Sequence, residues 1–117
     1  MSLIAATTVA ALLIASPSLT DADRLAANGG FLLGNAQRCG VASDRVERAG
    51  RLVRGLIAAA TEDDNAEKAA THRFAAFFLV SAVADRGQGR LLASCRLVTS
   101  ELARLERHPN KLAGAGE

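Results

Sequence analysis

The stretch QRCGVASDRVER, Gln37 to Arg48, decides the fold. Glycine is the residue that most readily takes the left-handed conformation beyond a helix end, so Gly40 reads as the C′ position of one helix. Ser43, with Asp44 in the first turn behind it, reads as the cap of the next. A connection this short forces the two helices into contact. One of only two cysteines, Cys39, stands at the corner, and the other is Cys95.

Working outward, the same grammar repeats. Thr20 followed by DADR is a hydroxyl N-cap with acids in the first turn. Leu25, Leu32, Ala36 and Cys39 then share one helical face, and NGG at 28–30 is expected to kink or break this helix. After Ser43, the stripe is Val46, Ala49, Leu52, Val53, Leu56, Ile57 and Ala60. Arg45, Arg48, Arg51 and Arg54 fill the other side, with Glu47 spaced to pair with Arg51. TEDDN at 61–65 is a polar turn and an acidic helix start. The helix after it, from about 63 to 85, carries Ala66, Ala70, Phe74, Phe77, Phe78, Ser81 and Ala84 on its stripe. RGQG at 86–89 is a loop. The last helix, roughly 90–108, places Leu91, Cys95, Val98, Leu102 and Leu105 at steps of four and three, a bundle seam. Pro109 stops it, and residues 109–117 form a frayed tail.

Residues 3–16, LIAATTVAALLIAS, carry no charge and end before Pro17. They are too short to span a bilayer, which needs about 20 apolar residues. Residues 1–17 therefore read in two ways. One is a signal-like segment, an apolar core followed by small residues but without a basic start. The other is an apolar helix that completes the core or buries itself in a homodimer.

Composition agrees with a single helical domain over residues 1–117. The chain is 50% hydrophobic, its aromatics are four Phe with no Trp or Tyr, and Ala and Leu are abundant. Those two residues favour helix over strand. Helices with short connections give an all-α, antiparallel bundle of four to five helices. The net charge of +2 is too mild to point to nucleic acid, and no stable membrane span is present.

No catalytic signature, metal-ligand spacing or cofactor motif stands out, so the expectation is a protein that is not an enzyme and has no metal and no cofactor. Cys39, Cys95, His72 and His108 lack the local pair spacing of zinc sites. Cys95 with His72 is a pair of common residue types rather than a nucleophile with its base. GFLLGN lacks the Lys-Ser/Thr and the preceding strand of a phosphate loop, and Gly30 and Gly34 fit close helix packing instead. The four Phe fill a core more readily than they line a ligand pocket.

Two functional readings remain. In the first, Cys39 and Cys95 form a structural disulfide. It would close a loop of about 56 residues and contribute roughly 4 kcal/mol by restricting the unfolded chain. The protein is then a small non-catalytic helical protein, periplasmic or secreted, with a protein partner not identified by the sequence. The simpler state of the two cysteines is a pair of buried thiols. The second reading is a cytoplasmic DNA-binding regulator with a helix-turn-helix at about 32–51. Ala36, Gly40, Val41 and Val46 have the spacing of that motif's corner. Ser43, Asp44, Glu47, Arg48 and Arg51 would then face a major groove. Against it, the chain has no basic arm, and an Arg-rich face is also the ordinary solvated side of an amphipathic helix.

Overall fold

The computed structural model describes residues 20–85, 89 and 92–109. Within them the chain forms four α-helices and no strand: α1, Asp21–Arg38; α2, Ser43–Ala60; α3, Asp64–Ala82; and α4, Cys95–Arg107. The apolar segment 3–16, most of the 86–91 loop and the tail beyond Pro109 lie outside the described residues.

The helix starts follow from side-chain caps. The Thr20 hydroxyl accepts the Asp23 N–H at 3.0 Å, and the Asp63 carboxylate accepts the Ala66 N–H at 2.8 Å. At α2 the cap is displaced by one residue. Ala42 is the N-cap, without a side-chain bond, and Ser43 is already helical. The turn before it explains this. Gly40 has φ +83°, its N–H reaches Gln37 O, and the Val41 N–H reaches Ala36 O. This paired closure is a Schellman motif, and it delivers the chain to Ala42 already turned for entry.

α4 starts five residues later than its periodicity suggests. The Ala93 backbone is held by side chains of α1 instead of entering a helix. The Ser94 hydroxyl then accepts the Leu97 N–H and opens α4 at Cys95. Cys95 consequently lies on the exposed first turn, not on the buried stripe expected of it.

NGG at 28–30 neither breaks nor kinks α1, which is helical throughout Asp21–Arg38. Here tertiary packing outweighs the roughly 1 kcal/mol helix penalty of each glycine. A Cβ on Gly29 would lie 2.7 Å from Val53 Cγ1. One on Gly30 would lie 2.5 Å from Phe77 Cβ and 2.6 Å from the Phe74 carbonyl. One on Gly34 would meet the Phe78 carbonyl and stand 2.6 Å from Ser81 Cβ. The glycines therefore form a smooth ridge on which α2 and α3 seat backbone-close. Register follows from the same contacts. Gly29 faces Val53 while Leu33 lies nearest Gly50, so numbering rises on α1 as it falls on α2. Along α3 it rises with α1, from Gly30 beside Phe74 and Phe77 to Gly34 beside Ser81 and Ala82.

The core between these helices holds Leu25, Leu33, Val53, Ile57, Phe74, Val98, Leu102 and Leu105. Full burial of such side chains is worth about 1.5–3 kcal/mol each. Val46 and Ala49 are buried as their stripe requires, whereas Leu52 and Ala60 are exposed. Gly50 takes the inward position instead. Ser81 is fully buried, and its hydroxyl has no hydrogen-bond partner among the described residues. Facing Gly34, it is held there by size rather than by polarity.

A paired substitution separates packing from propensity. Gly34→Ala is expected to lower stability by about 1–3 kcal/mol through overpacking, despite alanine's better helix propensity. Gly55→Ala, where nothing lies within 4 Å, is expected to raise it by up to about 1 kcal/mol. Denaturant unfolding of both variants checks the contrast. Equal, stabilising effects would show that the ridge is not tightly seated.

Candidate functional site: a disulfide and a buried amide that pin the last helix

Cys39 follows α1 at its C-cap, and Cys95 is the first residue of α4. They are joined by a disulfide with a Cα–Cα distance of 5.6 Å across 56 residues of sequence. Cys39 is half-buried against the core, so the bond lies at the rim of the bundle and not at its centre. A disulfide sulfur is neither a thiolate ligand nor a nucleophile. The pairing therefore takes both cysteines out of any Cys/His ligand set or nucleophilic pair. His72 and His108 are exposed on α3 and just beyond α4. Among the described residues no group of three or more His, Cys, Asp or Glu is placed to hold a metal.

Next to the disulfide lies a polar hub. Asn35 is fully buried. Its Nδ2 donates to Phe31 O at 2.9 Å. Its Oδ1 accepts from Arg38 Nε at 3.1 Å, from Arg38 Nη2 at 2.7 Å and from the Ala93 N–H at 3.1 Å. Arg38 Nη2 also donates to Ala93 O at 2.7 Å. One buried amide and one guanidinium thus satisfy both backbone groups of Ala93, as burial away from water demands. The approach to α4 is fixed by side chains of α1, two residues before the disulfide fixes it covalently. The one trace of this hub in the sequence is that Asn35 interrupts the stripe of Leu32, Ala36 and Cys39 with a poor helix former, three residues before an Arg.

The far end of α4 is tied to α2. Arg45 Nε and Nη2 donate to the two oxygens of Glu106, each at 2.8 Å. The Arg45 guanidinium holds the Glu106 carboxyl below the usual carboxylate range, and Glu106 raises Arg45 in return. Both side chains are about one-third exposed. Such a pair is worth well under the contribution of the buried Val98, Leu102 and Leu105, so it sets orientation more than affinity.

Ser43, Asp44, Glu47, Arg48 and Arg51 are all exposed on α2. Arg48 pairs with Asp44 at 3.0 Å, an i,i+4 pair on the turn before the Glu47–Arg51 spacing. The Asp44 carboxyl is lowered by its hydrogen bond from Arg48. Ala36 and Val46 are buried at the corner, as the helix spacing requires.

The four Phe do not gather into a ligand site. Phe74 is core, and Phe77 and Phe78 pack beside the α1 glycines. Phe31 alone lines the cavity between α1 and α4, with Leu32, Leu97, Val98 and Leu105. At about 220 Å³ that cavity is below the usual range for small-molecule sites.

One surface departs from the solvated pattern. Phe74 to Ala84, FAAFFLVSAVA, is eleven residues without a charge. One side of it packs on α1. On the other, Leu79 is 62% exposed, Val80 42% and Val83 76%. Among the described residues no helix is long and apolar enough to cross a membrane.

No family model, curated protein or solved structure matches the chain.

Removing the two anchors of α4 is expected to have unequal effects. Cys39→Ser with Cys95→Ser should cost about 4 kcal/mol, the loop-closure value. Asn35→Leu should cost about 1–3 kcal/mol, because the Ala93 N–H and Arg38 lose a buried acceptor. Urea unfolding of the parent and the two variants measures both. An Asn35→Leu variant as stable as the parent would show that the amide is dispensable.

Proposed function

We propose that the chain is a small non-catalytic helical protein of an oxidising compartment, periplasmic or secreted, with a role in protein interaction. The observation that carries the proposal is the Cys39–Cys95 disulfide. Such bonds persist where thiols are not kept reduced, and small exported domains use them to supplement a limited core. The signal-like composition of residues 1–17 supports the same compartment. The interaction role is supported by the uncharged outer face at Leu79, Val80 and Val83. An exposed apolar patch on a protein with no membrane-crossing helix among its described residues is a docking surface in waiting. With this reading goes an antiparallel, up-and-down bundle, supported by the reversed register of α1 against α2 and by the short connections 39–42 and 61–63.

The test is made on protein recovered from its own cell. The expected result is a mature chain starting close after residue 16, with a non-reduced mass about two daltons below the reduced one, the two hydrogens given up on bond formation. A chain that starts at Met1 and carries two free thiols in vivo would end the export reading.

A second reading, a DNA-binding regulator, is favoured by a single observation: Ser43, Glu47, Arg48 and Arg51 are exposed together beyond a Gly-containing corner. Its expected signature is retardation of mixed-sequence duplex DNA in a low-salt gel. Arg48→Ala and Arg51→Ala should each weaken it, with a salt slope shallower by about one for each phosphate left without its arginine. Absence of any retardation at low salt removes this reading.

A further inference from the structure

α3 poses a packing problem that the described residues do not solve. A helix segment that is apolar all round is normally covered all round. From Phe74 to Ala84 the chain has no charge, yet only the side toward α1 is covered. Exposure is greatest at Val83 and Leu79, opposite the glycine ridge.

The same chain holds a second uncharged stretch with the same difficulty. Residues 3–16 contain Leu, Ile, Val and Ala with two Thr and one Ser, and no ionisable side chain. Any solvent-facing helix made of them would leave a large apolar surface wet. Pro17 separates them from Thr20, which begins α1. They therefore need not continue the α1 axis, because the residue before a proline is turned away from helical geometry.

Length and direction match. Asp23 pairs with Arg73 at 3.4 Å, so the start of α1 is level with residue 73 of α3. Val83 is ten residues further along α3, about 15 Å at 1.5 Å per residue. Residues 3–16, fourteen in number, cover about 21 Å as a helix. A segment that turns back at Pro17 therefore spans the outer face of α3 from the level of Arg73 to beyond Val83. It meets no charge before Asp85.

We infer that residues 3–16 lie along the outer face of α3, over Leu79, Val80 and Val83, so that the chain covers its own docking surface until the segment is removed or displaced. The inference rests on the reading of this face as an interaction surface, and it names the occupant. It is independent of the disulfide. It also gives the two readings of residues 1–17 a common basis. A segment apolar enough to resemble an export signal is apolar enough to seal this face, and its removal would open it.

Hydrogen–deuterium exchange on the full chain tests it, comparing the parent with the double variant Leu79→Arg, Val83→Arg. Both positions are solvent-facing, so the substitutions leave the core intact, and unchanged protection around Leu33 and Val53 verifies that. The expected result is slowing of amide exchange within residues 3–16 of the parent by about tenfold or more over a free chain. In the variant that slowing disappears, and in the parent it is independent of concentration. Protection that vanishes on dilution would overturn the inference in favour of a second copy as the cover. Protection unaffected by the two Arg substitutions would overturn it by placing the segment elsewhere. Free-chain exchange in the parent would also overturn it. In that last case the dye ANS separates the two proposals: binding that the Arg substitutions abolish leaves the face open to another protein, and no binding removes the interaction role as well.

Discussion

Between α1 and α3 there is no room for a methyl group. A Cβ on Gly30 or Gly34 would fall within 2.6 Å of α3 atoms, several of them backbone and unable to rotate away. Everything else in the fold is arranged around this approach. Because α3 seats so close, Ser81 fits where a larger residue would not, and its buried hydroxyl goes unpaired among the described residues. Gly29 lets Val53 of α2 into the same ridge, so a single helix serves two neighbours through consecutive glycines. The helix-propensity penalty, about 1 kcal/mol per glycine, is offset by dispersion contacts that only close approach allows.

This constraint also explains which features are legible in the sequence and which are not. The caps at Thr20 and Asp63 and the positive φ of Gly40 are local chemistry, visible within four residues. The stripes Val46–Ala49–Val53–Ile57 and Val98–Leu102–Leu105 are legible too, since burial follows a 3.6 period. NGG misleads because its meaning lies on another helix. A glycine run breaks a helix in isolation and seats one in a bundle, and nothing within the run distinguishes the two. Ser43 fails as a cap for a related reason: the Schellman closure at Ala36–Val41 has already set the chain's entry angle.

The start of α4 shows the same division on a larger scale. Cys39 and Cys95 are legible as partners because they are the only two cysteines in the chain and each stands near a helix end. The hub of Asn35, Arg38 and Ala93 is not, since its hydrogen bonds cross more than fifty residues of sequence. Yet the hub positions the bond. With Ala93 hydrogen-bonded through both backbone groups, Cys95 arrives beside Cys39, and oxidation closes a geometry that non-covalent contacts have already defined. The covalent link then adds restriction of the unfolded chain, a contribution of a different kind from the amide's.

The two anchors of α4 and the glycine ridge together leave α3 as the least constrained surface of the molecule. α1 is enclosed by α2, α3 and the run into α4, and α2 turns a charged face outward. α3 presents a run of aliphatic side chains to solvent beyond its packed side. Its buried side is fixed by the ridge and cannot rotate to hide Leu79 or Val83 without driving Phe77 and Ser81 into Gly30 and Gly34. The exposure is therefore a consequence of the tightest contact in the fold, and relief must come from a surface brought to α3 from outside the four helices. An uncharged segment joined to α1 at the level of Arg73 is the nearest such surface in the sequence, and tethering gives it an advantage in effective concentration over any separate chain.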